Sequence, residues 1–199
     1  MSTTRAFAIL VITMLDNTAL IASSNHYFAL ATLIGFIIVL IWIVDLAFLK
    51  FGFLKSKQRA YEVLAAYAIP LGFFVSLFAM VGSLYYSYYL HIPACELCWF
   101  ARIFIYPLVF IFGLAWYKRD TRIHDYVLLI SGVGFLIALY HHYLQMGYEL
   151  LAPCSTAPFA VDCSTPTFIE YGFVTFPFMG VVALAVTFLL ALTAKMFQK

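Results

Sequence analysis

Charge is what this chain has least of: only 10% of its 199 residues are Asp, Glu, Lys or Arg. Soluble domains carry about 25%, so this composition excludes an ordinary water-facing globular surface. There is no phosphate-binding glycine loop, zinc-finger spacing, nucleic-acid module, internal repeat or low-complexity tract. A net charge of +2 leaves no basic footprint for nucleic acid. Cysteine is limited to four residues. The rest is apolar, with 65% hydrophobic residues, 19% aromatic residues and a mean hydropathy of +1.00. The fold class that follows is an all-α membrane protein crossing the bilayer several times.

Read along the chain, the apolar runs separate well except at the start. Ala6 to Leu15 and Ala19 to Ala22 are apolar but are divided by Asp16 and Asn17. About 20 apolar residues are needed to span, so this segment has three readings: a spanning helix, an interfacial helix, or a signal peptide ending at Ala22-Ser23-Ser24. Spanning is preferred. Asp16 would be costly against lipid and needs a partner helix. Tyr27–Val44, Val63–Leu90, Trp99–Tyr117, Tyr126–Gln145 and Tyr171–Ala194 are clearer spans. Residues 1–60 thus form an N-terminal extension with one or two membrane helices and a basic linker. Residues 61–199 form a four-helix bundle with a long loop over 146–170.

Positive charge sets the orientation. Cytoplasmic loops are enriched in Lys and Arg. With six spans and the N-terminus inside, Arg5, the Lys50–Arg59 linker, the Lys118–Arg122 turn and the terminal lysines all fall on the cytoplasmic face. Of the 11 basic residues, only Arg102 does not. Losing the first span would move Arg5 alone. Both cysteine pairs, Cys95/Cys98 and Cys154/Cys163, then face the oxidising outer compartment, where disulfides persist. The tyrosines around His91 and Tyr140 fit an interfacial aromatic belt.

The stretch Cys95-Glu96-Leu97-Cys98-Trp99-Phe100-Ala101-Arg102 carries the chemistry. Two residues between cysteines let the sulfurs meet with little strain. A helix opening at Cys98 turns its positive end towards that sulfur, and Arg102 follows one turn later on the same face. Both favour a thiolate at Cys98, against the opposing charge of Glu96. Two structural disulfides that merely clip loops, or a four-cysteine zinc site, are the rival readings. No metal is expected, because the C-x8-C spacing and the oxidising side suit zinc poorly. One tight pair at the bilayer and one pair on a reaching loop suit relay of electrons from a soluble partner to a membrane acceptor. Arg102 could snorkel to headgroups, or it could hold the acceptor's oxygen. His141 and His142, at similar depth, are weaker candidates for acceptor binding or proton supply.

These residues resemble the DsbB family of membrane thiol oxidases. The likeness runs from about Pro70 to the C-terminus. It rests on the C-x-x-C with Arg102 four residues on, Tyr140-His141-His142, the second pair, and Tyr171-Gly172-Phe173-Val174-Thr175-Phe176-Pro177 opening the last helix. The C-x8-C loop is similar to compact BdbC-like members, and residues 1 to about 60 match nothing in the four-helix family core. The resemblance implies a protein-dithiol:quinone oxidoreductase in the bacterial inner membrane. A DsbA-like thioredoxin-fold partner would attack the Cys154–Cys163 disulfide, with Cys154 the first sulfur met. Exchange with Cys95–Cys98 would follow, and ubiquinone or menaquinone near Arg102, His141 and His142 would take the electrons. A vitamin K epoxide reductase-like enzyme is the family rival, but its C-x-x-C lies on the last core helix, whereas here it opens the second.

Overall fold

The structure, a computed structural model, describes residues 3–50, 57–148 and 162–197, and the side chains of these other than 3–17 and 50. Helices account for most of it: α1 Thr3–Lys50, α2 Gln58–Ala66, α3 Ala68–Leu84, a π-helical turn Tyr85–Tyr89, α4 Glu96–Lys118, α5 His124–Gln145 and α6 Phe176–Phe197. Five segments among the described residues are long and apolar enough to span a bilayer: Thr18–Leu49, Ala68–Tyr89, Glu96–Lys118, His124–Gln145 and Phe176–Phe197. This is an all-α, multi-pass membrane protein. Among the described residues one N-terminal segment, Thr18–Leu49, is of this kind, within the one or two expected.

The continuity of α1 follows from what the start of the chain contains. No proline interrupts Thr3–Lys50, its one glycine, Gly35, leaves the helix continuous, and its 48 residues extend about 72 Å. Ser23, at the expected reversal, donates its hydroxyl to Ala19 O at 2.8 Å and Leu20 O at 3.1 Å. A serine satisfied inside the helix does not end it.

Two other boundaries moved for equally local reasons. The apolar run Val63–Leu90 is divided at Tyr67, where α2 stops and α3 begins. Pro70 explains the break. Its ring would clash with the Ala66 carbonyl in a continuous helix, whereas in the first turn of α3 its missing N–H costs little. The last helix starts at Phe176 instead of Tyr171. Tyr171 and Gly172 have φ of 52° and 81°, turning the chain into a Glu170–Val174 bridge.

Helices α3 to α6 form the bundle, with α5 against α6, α3 against α4, α4 against α5 and α3 against α6. Leu108, Phe112, Val127, Ala138 and Leu184 are buried at its centre. Close approach depends on two glycines. A Cβ on Gly72 would lie 2.4 Å from the Phe112 ring, and one on Gly134 would lie 2.7 Å from Phe104 Cβ. Packing between helices in lipid relies on such contacts, since burial from water supplies no drive there.

Helix α1 lies along α6. Its buried positions, Asn25, Ala29, Thr32, Val39, Trp42 and Leu46, recur at steps of three, four or seven residues and mark one face. Trp42 donates its indole N–H to Thr193 Oγ1 at 3.2 Å. At the end of the bundle that carries Lys57, Lys118 and Lys195, ion pairs join Asp45 to Lys57 (2.8 Å) and Asp125 to Lys195 (2.5 Å). There α4 closes in a Schellman motif, with Arg119 at φ 55° and Asp120 N–H bonding Ala115 O at 3.0 Å. Cys95, Cys98 and Cys163 sit at the opposite end.

Candidate active site

Cys95 is the N-cap of α4, with extended backbone (φ −72°, ψ 174°), and its carbonyl accepts the Trp99 N–H at 3.2 Å. Cys98 is therefore the third residue of the first helical turn, where backbone N–H groups lack helical partners and the dipole is positive. The Cys95 thiol donates to the Cys98 sulfur at 3.3 Å, and the Cys95 backbone N–H reaches the same sulfur. Both contacts run from Cys95 to the third residue of the helix, as in the half of a capping box in which that residue's side chain accepts from the N-cap N–H. The proton that Cys95 holds against Cys98, together with burial, pushes the Cys95 thiol up to about 12. The pair is thus asymmetric: Cys95 keeps its proton and Cys98 receives hydrogen bonds.

Two of the expected residues, His141 and Arg102, converge on the pair, and Gln145 joins them. His141, on α5, is 1% exposed and brings Nε2 to 3.5 Å from the Cys95 sulfur. Gln145, one turn on, lies 3.4 Å from the same ring nitrogen. Arg102 is buried, with its guanidinium 5.0 Å from the centre of the Trp99 ring. Its Nε donates to Ser83 Oγ at 2.9 Å, and its Nη2 reaches the Ser83 carbonyl at 3.4 Å and the Ser87 hydroxyl. Among the described residues neither ion pair involves Arg102.

Ser83 and Ser87 are not among the residues that the sequence motifs single out. The signal was available as a four-residue serine repeat near the end of an uncharged span, one helical turn apart. The π turn Tyr85–Tyr89, closed by Leu90 N–H to Tyr85 O at 3.1 Å, aims Ser87 at the guanidinium. Such turns occur often at functional sites.

His142 is not brought to the sulfurs. Successive helical residues point about 100° apart, and His142 Nδ1 meets Thr175 Oγ1 at 2.9 Å while its ring packs on Phe178. Cys163 is buried and within electrostatic reach of Cys98. It sits within a tight turn in which Asp162 accepts from Ser164 N–H (3.0 Å), Ser164 Oγ (2.7 Å) and Thr165 Oγ1 (2.9 Å). Those bonds, led by the Ser164 backbone N–H, hold the Asp162 carboxyl below its ordinary range. Cys154 lies outside the described residues.

Below the pair is an apolar cavity of about 720 Å³, with Cys98, Arg102 and His141 at one end and Leu71, Phe74 and Val186 among its deeper walls. Polar groups at one end and hydrocarbon along the rest fit an amphiphile with a small polar ring.

Residues 65–194 match the family model described as "Disulfide bond formation protein DsbB". The chain belongs to the DsbB family. All seven expected site residues fall inside the matched segment, and α1 falls outside it. Among curated relatives, the "Disulfide bond formation protein C" of Bacillus subtilis is 40% identical over 111 residues, covering 55% of this chain and 78% of the relative. A "Probable disulfide formation protein" of Coxiella burnetii is 37% identical over 129 residues, covering 63% and 86%. One from Bacillus cereus is 35% identical over 128 residues, covering 64% and 87%. No solved structure matches the chain.

Proposed function

We propose that this DsbB-family protein is a thiol:quinone oxidoreductase that reoxidises a DsbA-like thioredoxin-fold partner outside the bacterial inner membrane. One observation carries the reading: Cys98, Arg102 and His141 share the polar end of an otherwise apolar cavity in the membrane-spanning part of the bundle. A soluble acceptor would not need that surrounding, and a membrane quinone does. The relatives named for disulfide formation support the same direction of electron flow.

The electron balance runs through four sulfurs. The partner's dithiol attacks the Cys154–Cys163 disulfide, leaves as a disulfide, and leaves two thiols on the loop. Those thiols exchange with the Cys95–Cys98 disulfide, which becomes the dithiol. A bound quinone supplies a two-electron, two-proton acceptor. Cys98 is the sulfur that faces the cavity and donates the electron pair, re-forming its bond to Cys95. Arg102, fixed by Ser83 and Ser87, holds the acceptor's oxygen by a charge-assisted hydrogen bond. His141 takes the proton that Cys95 releases. Burial of Cys163 favours Cys154 as the sulfur met by the partner.

Orientation follows from charge. Lys57, Arg59, Lys118, Arg119, Arg122 and Lys195 lie at the end away from the cysteines, as positive-inside topology requires for an extracytoplasmic site.

The test is to supply purified protein with quinone and a reduced thioredoxin-fold partner. Partner oxidation that requires both protein and quinone supports the assignment, and its absence with every quinone class rejects it. Zinc is the competing use of the site, because the ligand atoms of Cys95, Cys98 and His141 all lie within 4.8 Å of one another. Stoichiometric zinc in the purified protein, released only with loss of fold, would favour that reading.

A further inference from the structure

The cavity under Cys98 is not closed by the family core alone. One of its walls is α1, contributed by Phe28, Ala31, Thr32 and Gly35, although α1 lies outside the residues that match the family. Helix α1 packs along α6 through the seam from Ala29 to Leu46, and it meets α3 at the cysteine end. There Tyr86 donates its hydroxyl to Asn25 Oδ1 at 2.8 Å, Ser24 and Tyr85 hydroxyls lie 3.0 Å apart, and Phe28 packs on Phe78 with ring centres 5.6 Å apart.

Deeper than this clasp, the facing residues are small. A Cβ built on Gly82 of α3 would meet only the Phe28 ring, at 3.4 Å, and Ala31 is exposed along the cleft. From Gly82 down to Leu71 the cleft runs 11 residues of α3, about 16 Å, or roughly half the hydrocarbon thickness. Its walls are mostly hydrocarbon, with the Thr32 hydroxyl turned to the Phe28 carbonyl, and its polar end is formed by Cys98, Arg102 and His141.

We propose that the cleft between α1 and α3 is the slot for the isoprenoid tail of the quinone, so that the N-terminal extension sets the preference for tailed over tail-less acceptors. This deepens the thiol:quinone reading and rests on it. The shape of the cleft argues for this occupant over a phospholipid chain. The clasp of Asn25, Tyr86, Ser24 and Tyr85 closes the end where a phosphate headgroup would have to emerge. What remains open there leads to Cys98 and Arg102, which suit a quinone ring. Sideways, exposed Phe74, Phe78 and Val81 leave the cleft accessible from the bilayer.

The experiment compares the unaltered full-length protein with Ala31→Trp and Gly82→Val. KM and kcat are measured for a long-tailed quinone and for a tail-less quinone with the same ring, at matched micellar concentrations and with a reduced dithiol partner. Both substitutions place bulk in the slot and leave Cys98, Arg102 and His141 untouched. The expected result is a KM at least tenfold higher for the tailed quinone, with the tail-less KM changed less than twofold. Retained turnover of the tail-less quinone also shows that the variants fold. Unchanged KM for both quinones, or an equal rise for both, overturns the proposal. So does a phospholipid that copurifies stoichiometrically and is lost in Ala31→Trp while tail discrimination persists. No turnover of either quinone by the unaltered protein rejects the thiol:quinone reading itself, and the slot with it.

Discussion

Arg102 donates its Nε–H to the hydroxyl of Ser83 at 2.9 Å, so the buried guanidinium is oriented by a neutral partner. A carboxylate would neutralise it, whereas serine hydroxyls fix its direction and leave its charge available to an acceptor oxygen. Hydrogen bonds to charged groups contribute about 1.5–3 kcal/mol. Ser83→Ala combined with Ser87→Ala should therefore raise the quinone KM roughly tenfold or more, with kcat and partner KM little changed. Arg102→His should do the same more severely. Steady-state kinetics with varied quinone checks both, and an unchanged quinone KM would return Arg102 to a purely interfacial role.

Cys95 should be the last thiol to react as pH rises. Its thiol titrates near 12, against an ordinary value of 9.0, because it donates to Cys98 and is buried. In the reduced protein, alkylation followed by peptide mapping should find Cys98 modified at pH 8 and Cys95 protected until well above pH 10. The linkage sign follows. Between about pH 9 and pH 12 the unfolded chain has lost a proton that the folded chain keeps, so the reduced form loses stability as pH rises through that window. Equal alkylation rates at pH 8 would contradict the asymmetry.

Adjacent histidines provide a sharp contrast. His141 Nε2 lies 3.5 Å from the Cys95 sulfur, while His142 is held by Thr175 on another face of α5. General acid–base groups contribute about 10²–10⁴-fold to rate. Hence His141→Ala should lower kcat by roughly a hundredfold, and His142→Ala should leave kcat within a fewfold while lowering thermal stability. Equal kinetic losses in the two variants would remove the proton-acceptor role from His141.

Packing between α3 and α4 is tested at Gly72. A side chain there would overlap the Phe112 ring, since even a Cβ comes within 2.4 Å. Overpacking a well-filled core costs about 1–3 kcal/mol. Gly72→Ala should lower the unfolding temperature, and Phe112→Leu introduced with it should recover part of the loss. A neutral Gly72→Ala would mean that the two helices can separate freely at that level.

Much of this molecule was legible in its residues because the two strongest signals are local. Long uncharged runs define spans, and C-x-x-C followed by arginine one turn later needs only a helix start to become a site. What escaped depended on contacts between distant segments or on subtle punctuation. Pro70 ends α2 four residues before itself, a small mark inside a 28-residue apolar run. Ser83 and Ser87 acquire meaning only once a π turn aims them at α4. Asp16, Asn17 and Ser23 suggest a boundary, yet a serine that bonds within its own helix does not break it, and α1 runs through. His141 and His142 could not be separated without knowing which face of α5 meets α4. Nothing in the sequence marks Phe28, Ala31, Thr32 and Gly35 of α1 as cavity-lining residues, because that depends on how α1 packs against the bundle.

The most direct measurement is anaerobic single turnover: protein reduced at Cys95 and Cys98 is mixed with one equivalent of quinone, and quinol formation is followed by absorbance. The account predicts one quinol per protein for the unaltered chain and for a variant lacking both Cys154 and Cys163, and none for Cys98→Ser. Quinol formation by Cys98→Ser at the unaltered rate would contradict it.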